Sequence, residues 1–361
     1  MKIWFDARML GFSGIGTQVE HTLSELIRRN DPVTVPIGSS EKIRKLIPSY
    51  DGEVIEFTKP IYSLSEQIQF PKLPKNTILH IPHYAAPIRW LSRSVVMVHD
   101  LIHLQSDEFS APHFRAYAYM LLRSVANRAK SIITVSNYTR DCLVEKFPKA
   151  ANRITVIHNG IDHKVFYPST GKEVAAFKNK FNLPELFFLC VGIGKRHKNV
   201  DFVIRALSAL WKNSEIDIPL VLAGTGGSVP GYVQQAIRAT GSSSFIQVMP
   251  FLDESELRAL YSSATALIMP SLIEGFGFPA VESMACGTPV IVSNRASLPE
   301  ICGKAGLYFN PEDESDLQEK IVELTRRPSL ADRMVASGIN QSARFTWQEH
   351  VDLLISVYRS L

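Results

Sequence analysis

Short apolar runs of three to five residues recur through this chain, each followed by a longer stretch with helical apolar spacing. In the first half the runs are Ile3–Phe5, Ile78–Ile81, Val95–Val98, Ile132–Val135 and Ile154–Ile157. In the second they are Phe187–Val191, Leu220–Ala223, Ile246–Val248, Leu267–Met269 and Val290–Val292. A strand covered on both faces reads as a continuous Val/Ile/Leu run, and strands alternating with helices specify βα units in a parallel sheet. At 361 residues the chain is too long for one typical domain. Two doubly wound α/β domains are therefore expected, residues 1–168 and 169–346, meeting where Asn, Gly, Pro and Ser cluster at Asn159–Thr170.

Composition narrows the function classes. No run of eighteen apolar residues occurs, and Lys2-Ile3-Trp4-Phe5-Asp6 reads as a strand rather than a leader, so a membrane span and a signal peptide are not expected. Cys142, Cys190, Cys286 and Cys302 show neither C-x-x-C spacing nor paired His, which predicts a reduced, cytoplasmic protein without structural zinc. Residues 1–168 carry 21 Lys/Arg against 15 Asp/Glu, and residues 169–361 carry 18 against 20. The basic first half suits an anionic partner or simply a solvated surface. The stretch His113–Lys130 has Arg115, Arg123, Arg128 and Lys130 among core-spaced apolar residues. It reads as a packed surface helix, with peripheral contact to anionic lipid as the alternative. Dense basic runs interleaved with aromatics are missing, so nucleic acid is not an expected partner.

In an open α/β sheet, ligands bind beyond the carboxyl ends of the strands, and there the chain places its most reactive residues. Leu267–Met269 leads into Pro270-Ser271-Leu272-Ile273-Glu274-Gly275-Phe276-Gly277-Phe278-Pro279-Ala280-Val281-Glu282. This is a strand, a glycine loop and a helix start with Pro279 near its first position. Such a helix N-terminus binds phosphate without a metal, and carboxylates at Glu274 and Glu282 suit sugar and ribose hydroxyls. Lys195-Arg196-His197-Lys198 follows the strand ending at Val191, where Arg196 and Lys198 can neutralise a diphosphate. No D-x-D pair flanked by apolar residues appears, which predicts phosphate stabilisation by cations and a helix dipole, with no metal and no cofactor.

Glu274 through Glu282 resembles the E-x7-E signature of the family-four retaining glycosyltransferases, which have the GT-B fold. The likeness continues through Ser283-Met284-Ala285-Cys286-Gly287-Thr288-Pro289-Val290-Ile291, Leu298-Pro299-Glu300 and Ala305-Gly306-Leu307. Earlier it takes in Val98-His99-Asp100-Leu101, Val135-Ser136-Asn137, Asn159-Gly160-Ile161-Asp162, Gly192 with Arg196-His197-Lys198-Asn199, and Ala223-Gly224-Thr225-Gly226. The resemblance implies two Rossmann-like domains facing a central cleft, with the helical stretch 347–361 returning to the first. It implies that Glu274 contacts the donor sugar and Glu282 the ribose, that Gly275 and the amides of Phe276, Gly277 and Phe278 meet sugar hydroxyls or phosphate, and that Lys198 binds phosphate. Many members carry arginine directly after the glycine matching Gly192; here that residue is Ile193, and Arg196 is the expected substitute. The same likeness assigns Gly14 and Gly16, read as a loop opening a helix, to the donor phosphates and acceptor. It gives His99 a contact with the donor sugar, and Phe251 and Leu252 the base. His103 and Asp107 are acceptor-side candidates or fillers.

The implied activity is retaining transfer of a hexose from GDP-mannose or a UDP-hexose to a saccharide or lipid-linked acceptor, as in surface polysaccharide synthesis. The expected location is the cytoplasm, including the inner face of the membrane. A GT-B epimerase or phosphorylase and a non-catalytic nucleotide-sugar-binding protein remain alternatives. A nicotinamide enzyme fits less well, since Gly192-Ile193-Gly194 lacks the third glycine of G-x-G-x-x-G.

Overall fold

The computed structural model of the chain describes residues 2–105 and 112–361. The chain divides into two units, one of Met1–Gly160 with Phe345–Leu361 and one of Ile161–Arg344. The change-overs thus lie at 160 and 344, beside the expected limits of 168 and 346.

The first unit is built on seven parallel strands: β1 (Lys2–Asp6), β2 (Val33–Gly38), β3 (Ile55–Glu56), β4 (Thr77–Ile81), β5 (Ser94–Val98), β6 (Ser131–Thr134) and β7 (Ile154–Val156). Their order is β3-β2-β1-β4-β5-β6-β7, so the direction of winding switches between β1 and β4. The second unit has six: β8 (Phe188–Val191), β9 (Leu220–Ala223), β10 (Ile246–Val248), β11 (Ala266–Met269), β12 (Val290–Ser293) and β13 (Gly306–Phe309). Their order is β10-β9-β8-β11-β12-β13, and every pairing is parallel. All ten expected runs lie on strands. The central strands β5, β6, β9, β11 and β12 are buried along their whole length, which is why they read as unbroken apolar runs.

Three strands carry no such signal. Pro36 interrupts β2, Gly306 opens β13, and β3 is only two residues long. Proline is tolerated in β2 for a reason of register. Ile37 O accepts from Ala7 N–H on the β1 side (2.8 Å), and Gly38 O accepts from Phe57 N–H on the other (3.1 Å). Pro36 therefore faces the outer side, where β3 pairs only with Ile37 and Gly38 and asks nothing of it.

The helix Trp347–Arg359 belongs to the first unit and packs on the helix Ser13–Arg29. Trp347, His350, Val351, Leu354, Ile355, Val357 and Tyr358 form its buried face. The His350 and Tyr358 side chains on that face are hydrogen-bonded. His350 Nδ1 meets the His158 carbonyl at 2.8 Å while its Nε2 lies 3.4 Å from the Gln18 amide, and Tyr358 Oη pairs with His80 Nδ1 at 2.8 Å. Burial lowers His350 to about 4 and His80 to about 3, so both rings are neutral at pH 7. The chain enters this helix against Gly160, where a Cβ would stand 2.3 Å from Trp347 N. Gly160→Ala is expected to destabilise the first unit by about 1–3 kcal/mol through overpacking, read as a lowered thermal midpoint.

The helix Pro112–Arg128 buries Ala118, Leu121, Leu122, Val125 and Ala126 in the same core as Val96, Val98 and Ile132. Its apolar spacing thus serves packing, with Arg123 and Arg128 on the exposed side.

Candidate active site

In the second unit β11 ends at Met269 and the helix Phe278–Ala285 begins nine residues later. Phe278 is the first helical residue and Pro279 the second, one position later than the sequence predicts. Gly277 caps the helix at φ 100°, a conformation that L side chains rarely adopt, and a Cβ there would stand 2.8 Å from Leu298 Cδ2. The positive end of the helix dipole therefore sits on the loop Glu274–Gly277. Ser297 fixes that loop by donating its hydroxyl to the carbonyls of Glu274 (3.0 Å) and Phe276 (3.2 Å). Phe276 is buried and meets Phe278 edge-on at 5.3 Å.

Lys198 and Glu274, predicted separately for phosphate and for sugar, are brought together. Lys198 Nζ donates to Glu274 Oε2 at 2.7 Å, and the side chains are only 17% and 15% exposed. Leu272 N–H donates to the His197 carbonyl (2.9 Å), tying the basic turn Arg196–Lys198 to the glycine loop. Arg196 is exposed, its guanidinium 5.9 Å from the Tyr232 ring. Tyr232 in turn donates to the carbonyls of Ile193 (2.7 Å) and Lys195 (3.1 Å), while Ile193 itself is fully buried. The side chain after Gly192 thus belongs to the core, and the exposed cations of the turn are Lys195 and Arg196.

Glu282 accepts a hydrogen bond from the buried Tyr261 hydroxyl at 2.7 Å. Burial pushes its carboxyl up to about 7, opposed in part by that hydrogen bond. Beyond β8 and β9, Gly224, Thr225, Gly226, Pro250, Phe251 and Leu252 line a concavity of about 290 Å3. Phe251 is 84% exposed there, a large ring without cover.

In the first unit the glycine turn is placed differently from the expected loop. Gly14 and Gly16 lie within the first turn of the helix Ser13–Arg29, which starts directly after Phe12. Gly16 is needed for close approach, since a Cβ would stand 2.7 Å from Met9 O. The helix starts early because Gly16 N–H already donates to Phe12 O at 2.7 Å. His99 follows β5, its Nε2 2.9 Å from the Pro82 carbonyl and its own carbonyl held by Thr139 Oγ1 at 3.1 Å. Burial lowers its imidazole to about 4, so the ring is neutral near pH 7. His103 meets Phe114 edge-on at 4.8 Å, and Asp107 lies outside the described residues.

The family model for glycosyltransferase family 4 matches residues 12–165, and that for glycosyl transferases group 1 matches residues 171–341. The two matches fall largely one on each unit and between them take in every strand but β1. The chain belongs to the group 1 glycosyltransferases. The glycosyltransferase is 28% identical to O-antigen chain mannosyltransferase B of Escherichia coli, over 80% of this chain and 75% of that one. It is 29% identical to the serotype-specific mannosyltransferase WbdA of Escherichia coli over 74% of this chain, which spans only 34% of that longer protein. In fold it resembles Anabaena HepE, solved with UDP and glucose (TM-score 0.77, 17% identity, 100% of each chain). It also resembles sucrose-phosphate synthase of Thermosynechococcus elongatus (TM-score 0.75, 18% identity, 100% and 98% covered).

Three residues of this glycosyltransferase escape the sequence reading: Tyr261, Ser297 and Tyr232. Each acts on a site residue through a side chain remote in sequence, and no local pattern marks it. Among the described residues no three His, Cys, Asp or Glu side chains converge to hold a metal ion, and no helix is long and apolar enough to cross a membrane.

Proposed function

We propose that this glycosyltransferase moves a hexose from a nucleotide diphosphate sugar to a saccharide or lipid-linked acceptor, with retention of anomeric configuration and without a metal ion. The observation that carries the reading is the Lys198–Glu274 pair set against the glycine loop and the start of the helix Phe278–Ala285. A cation and a dipole end stand where a leaving diphosphate needs them, and a carboxylate stands beside them for sugar hydroxyls. In the second unit we assign Lys198 and Arg196 to the diphosphate, and Glu274 with the backbone of Gly275, Phe276, Gly277 and Phe278 to the sugar and phosphate. Glu282 takes the ribose, and Phe251 and Leu252 the base. In the first unit we assign His99, Gly14 and Gly16 to the reacting end of the donor. Because His99 is neutral, it can share a hydrogen bond with a sugar hydroxyl without adding charge.

Mannose is the favoured hexose, GDP-mannose the favoured donor and surface polysaccharide the favoured product, on the strength of the E. coli relatives. The site of action would be the cytoplasmic side of the membrane. Incubation with labelled GDP-mannose, UDP-glucose and UDP-galactose, with and without EDTA, tests the donor and the metal together. Transfer from GDP-mannose at an EDTA-independent rate is expected. A rate that EDTA abolishes and Mg²⁺ restores would overturn the metal-free design.

A further inference from the structure

A second concavity opens at the carboxyl edge of the first sheet, on the β1-β2-β3 side of its switch point. It encloses about 440 Å3. Its wall takes one segment from beyond each strand: Ala7–Met9 after β1, Ser39 with Lys42 and Ile43 after β2, and Phe57–Ile61 after β3. The lining is mostly apolar, with Met9, Phe12, Ile43 and Phe57 among its members.

The cations at this wall are not equivalent. Arg8 is almost fully buried and neutralised by Asp6 and Glu66, each at 2.5 Å. It serves the fold. Lys42 Nζ instead stands 3.8 Å from the centre of the Phe12 ring and forms no ion pair with any described carboxylate. Partial burial lowers its pKa, and no described carboxylate supplies a counter-charge. Phe12 is 57% exposed, large for an aromatic ring with no cover beyond one lysine. Lys59, exposed at the rim, adds a second positive charge. An apolar cavity with a partly buried, unpaired ammonium at its wall complements a ligand with a hydrocarbon body and an adjacent anion.

We propose that this cavity binds the acceptor of the transfer reaction, and that the acceptor carries a phosphate ester beside an apolar group. The phosphate pairs with Lys42 and Lys59, and the apolar group lies against Phe12, Ile43 and Phe57. The cavity takes one such molecule rather than docking on an anionic lipid surface. The proposal rests on the transferase reading only in calling the ligand the acceptor.

Hexyl phosphate, hexanol and inorganic phosphate titrated into the whole protein by calorimetry provide the test. Hexyl phosphate is expected to bind at least 10-fold more tightly than either of the others, because it alone satisfies both halves of the cavity. Lys42→Met should weaken hexyl phosphate by about 10-fold or more and leave hexanol unchanged, as loss of one charge-assisted contact implies. Thr58→Trp, an exposed position on the wall, should fill the space and weaken both. Equal binding of hexyl phosphate and hexanol, or a Lys42→Met variant with unchanged affinity, overturns the proposal. So does a Lys42→Met variant that loses sedimentation with phosphatidylglycerol vesicles yet keeps its hexyl phosphate affinity. GDP and UDP titrated in parallel keep the two readings apart. If neither binds while hexyl phosphate does, the transferase reading fails and the cavity stands. If a nucleotide binds and transfer proceeds while hexyl phosphate does not bind, the cavity assignment fails alone.

Discussion

Lys198→Ala is expected to lower turnover by about 10²–10³ at saturating donor, the cost of removing one preorganised electrostatic contact from a developing charge. The leaving diphosphate gains negative charge as the glycosidic bond breaks, so a fixed cation there stabilises the transition state more than the ground state. Without ligand, Lys198 is held by Glu274 at 2.7 Å, with both side chains largely out of solvent. The pair fixes the position of the ammonium beside the glycine loop. Removing the lysine has a second consequence, because Glu274 is left as an uncompensated carboxylate beside the proposed phosphate site. Adding Glu274→Gln to Lys198→Ala is therefore expected to recover donor affinity, while turnover stays low. A double-mutant cycle on kcat and KM separates the two effects. A Lys198→Ala enzyme with turnover within 5-fold of wild type would remove Lys198 from the mechanism.

The same argument bears on stereochemistry. Glu274 is engaged by Lys198 and Glu282 by Tyr261, so neither carboxylate is presented as a free nucleophile. Attack on the face the diphosphate leaves, with that phosphate taking the acceptor's proton, follows as the proposed route. NMR of the product should show the donor's anomeric configuration.

What was legible in the sequence follows from how local each feature is. The strands of both sheets were visible wherever burial on two faces forced an unbroken apolar run, as at Val95–Val98 and Leu220–Ala223. β2 was hidden because Pro36 is acceptable only given the brevity of β3, a fact of pairing rather than of the strand itself. The glycine loop and helix start at Gly275–Pro279 could be read directly, since turn and cap chemistry are encoded in adjacent residues. Gly14 and Gly16 misled for the same local reason. Two glycines look like a loop, yet here the small size of Gly16 lets a helix begin against the Met9 carbonyl. The Lys198–Glu274 contact spans 76 residues and the Tyr261–Glu282 contact 21, so only the folded second sheet reveals them.

Donor affinity is expected to rise with pH, by about 10-fold or more between pH 5.5 and 8, and the group responsible is Glu282. Its carboxyl sits at about 7 because burial disfavours the charge, while the Tyr261 hydroxyl, 2.7 Å away, partly offsets that cost. In the proposed assignment both ribose hydroxyls donate to Glu282, and an ionised carboxylate, an acceptor at both oxygens, holds them more strongly than a protonated one that has turned one oxygen into a donor. Donor binding must therefore strengthen as pH rises through about 7 and level off above it. Folding stability should run the other way. A carboxyl raised above its unfolded value of 4.5 binds its proton more tightly when folded. Its contribution is full below about pH 4.5 and is lost as pH rises through about 7. These opposite slopes distinguish a ligand-binding carboxylate from a merely buried one. A nucleotide sugar should be the titrant, because free nucleoside diphosphates change charge near pH 6 themselves. Glu282→Gln should flatten both slopes and weaken the donor by about 10-fold or more at pH 8. Tyr261→Phe removes the hydrogen bond that lowers the carboxyl, so it should move the midpoint of the affinity profile to higher pH. A wild-type affinity that is flat from pH 5.5 to 8, or a slope that survives in Glu282→Gln, would take Glu282 out of the ribose site.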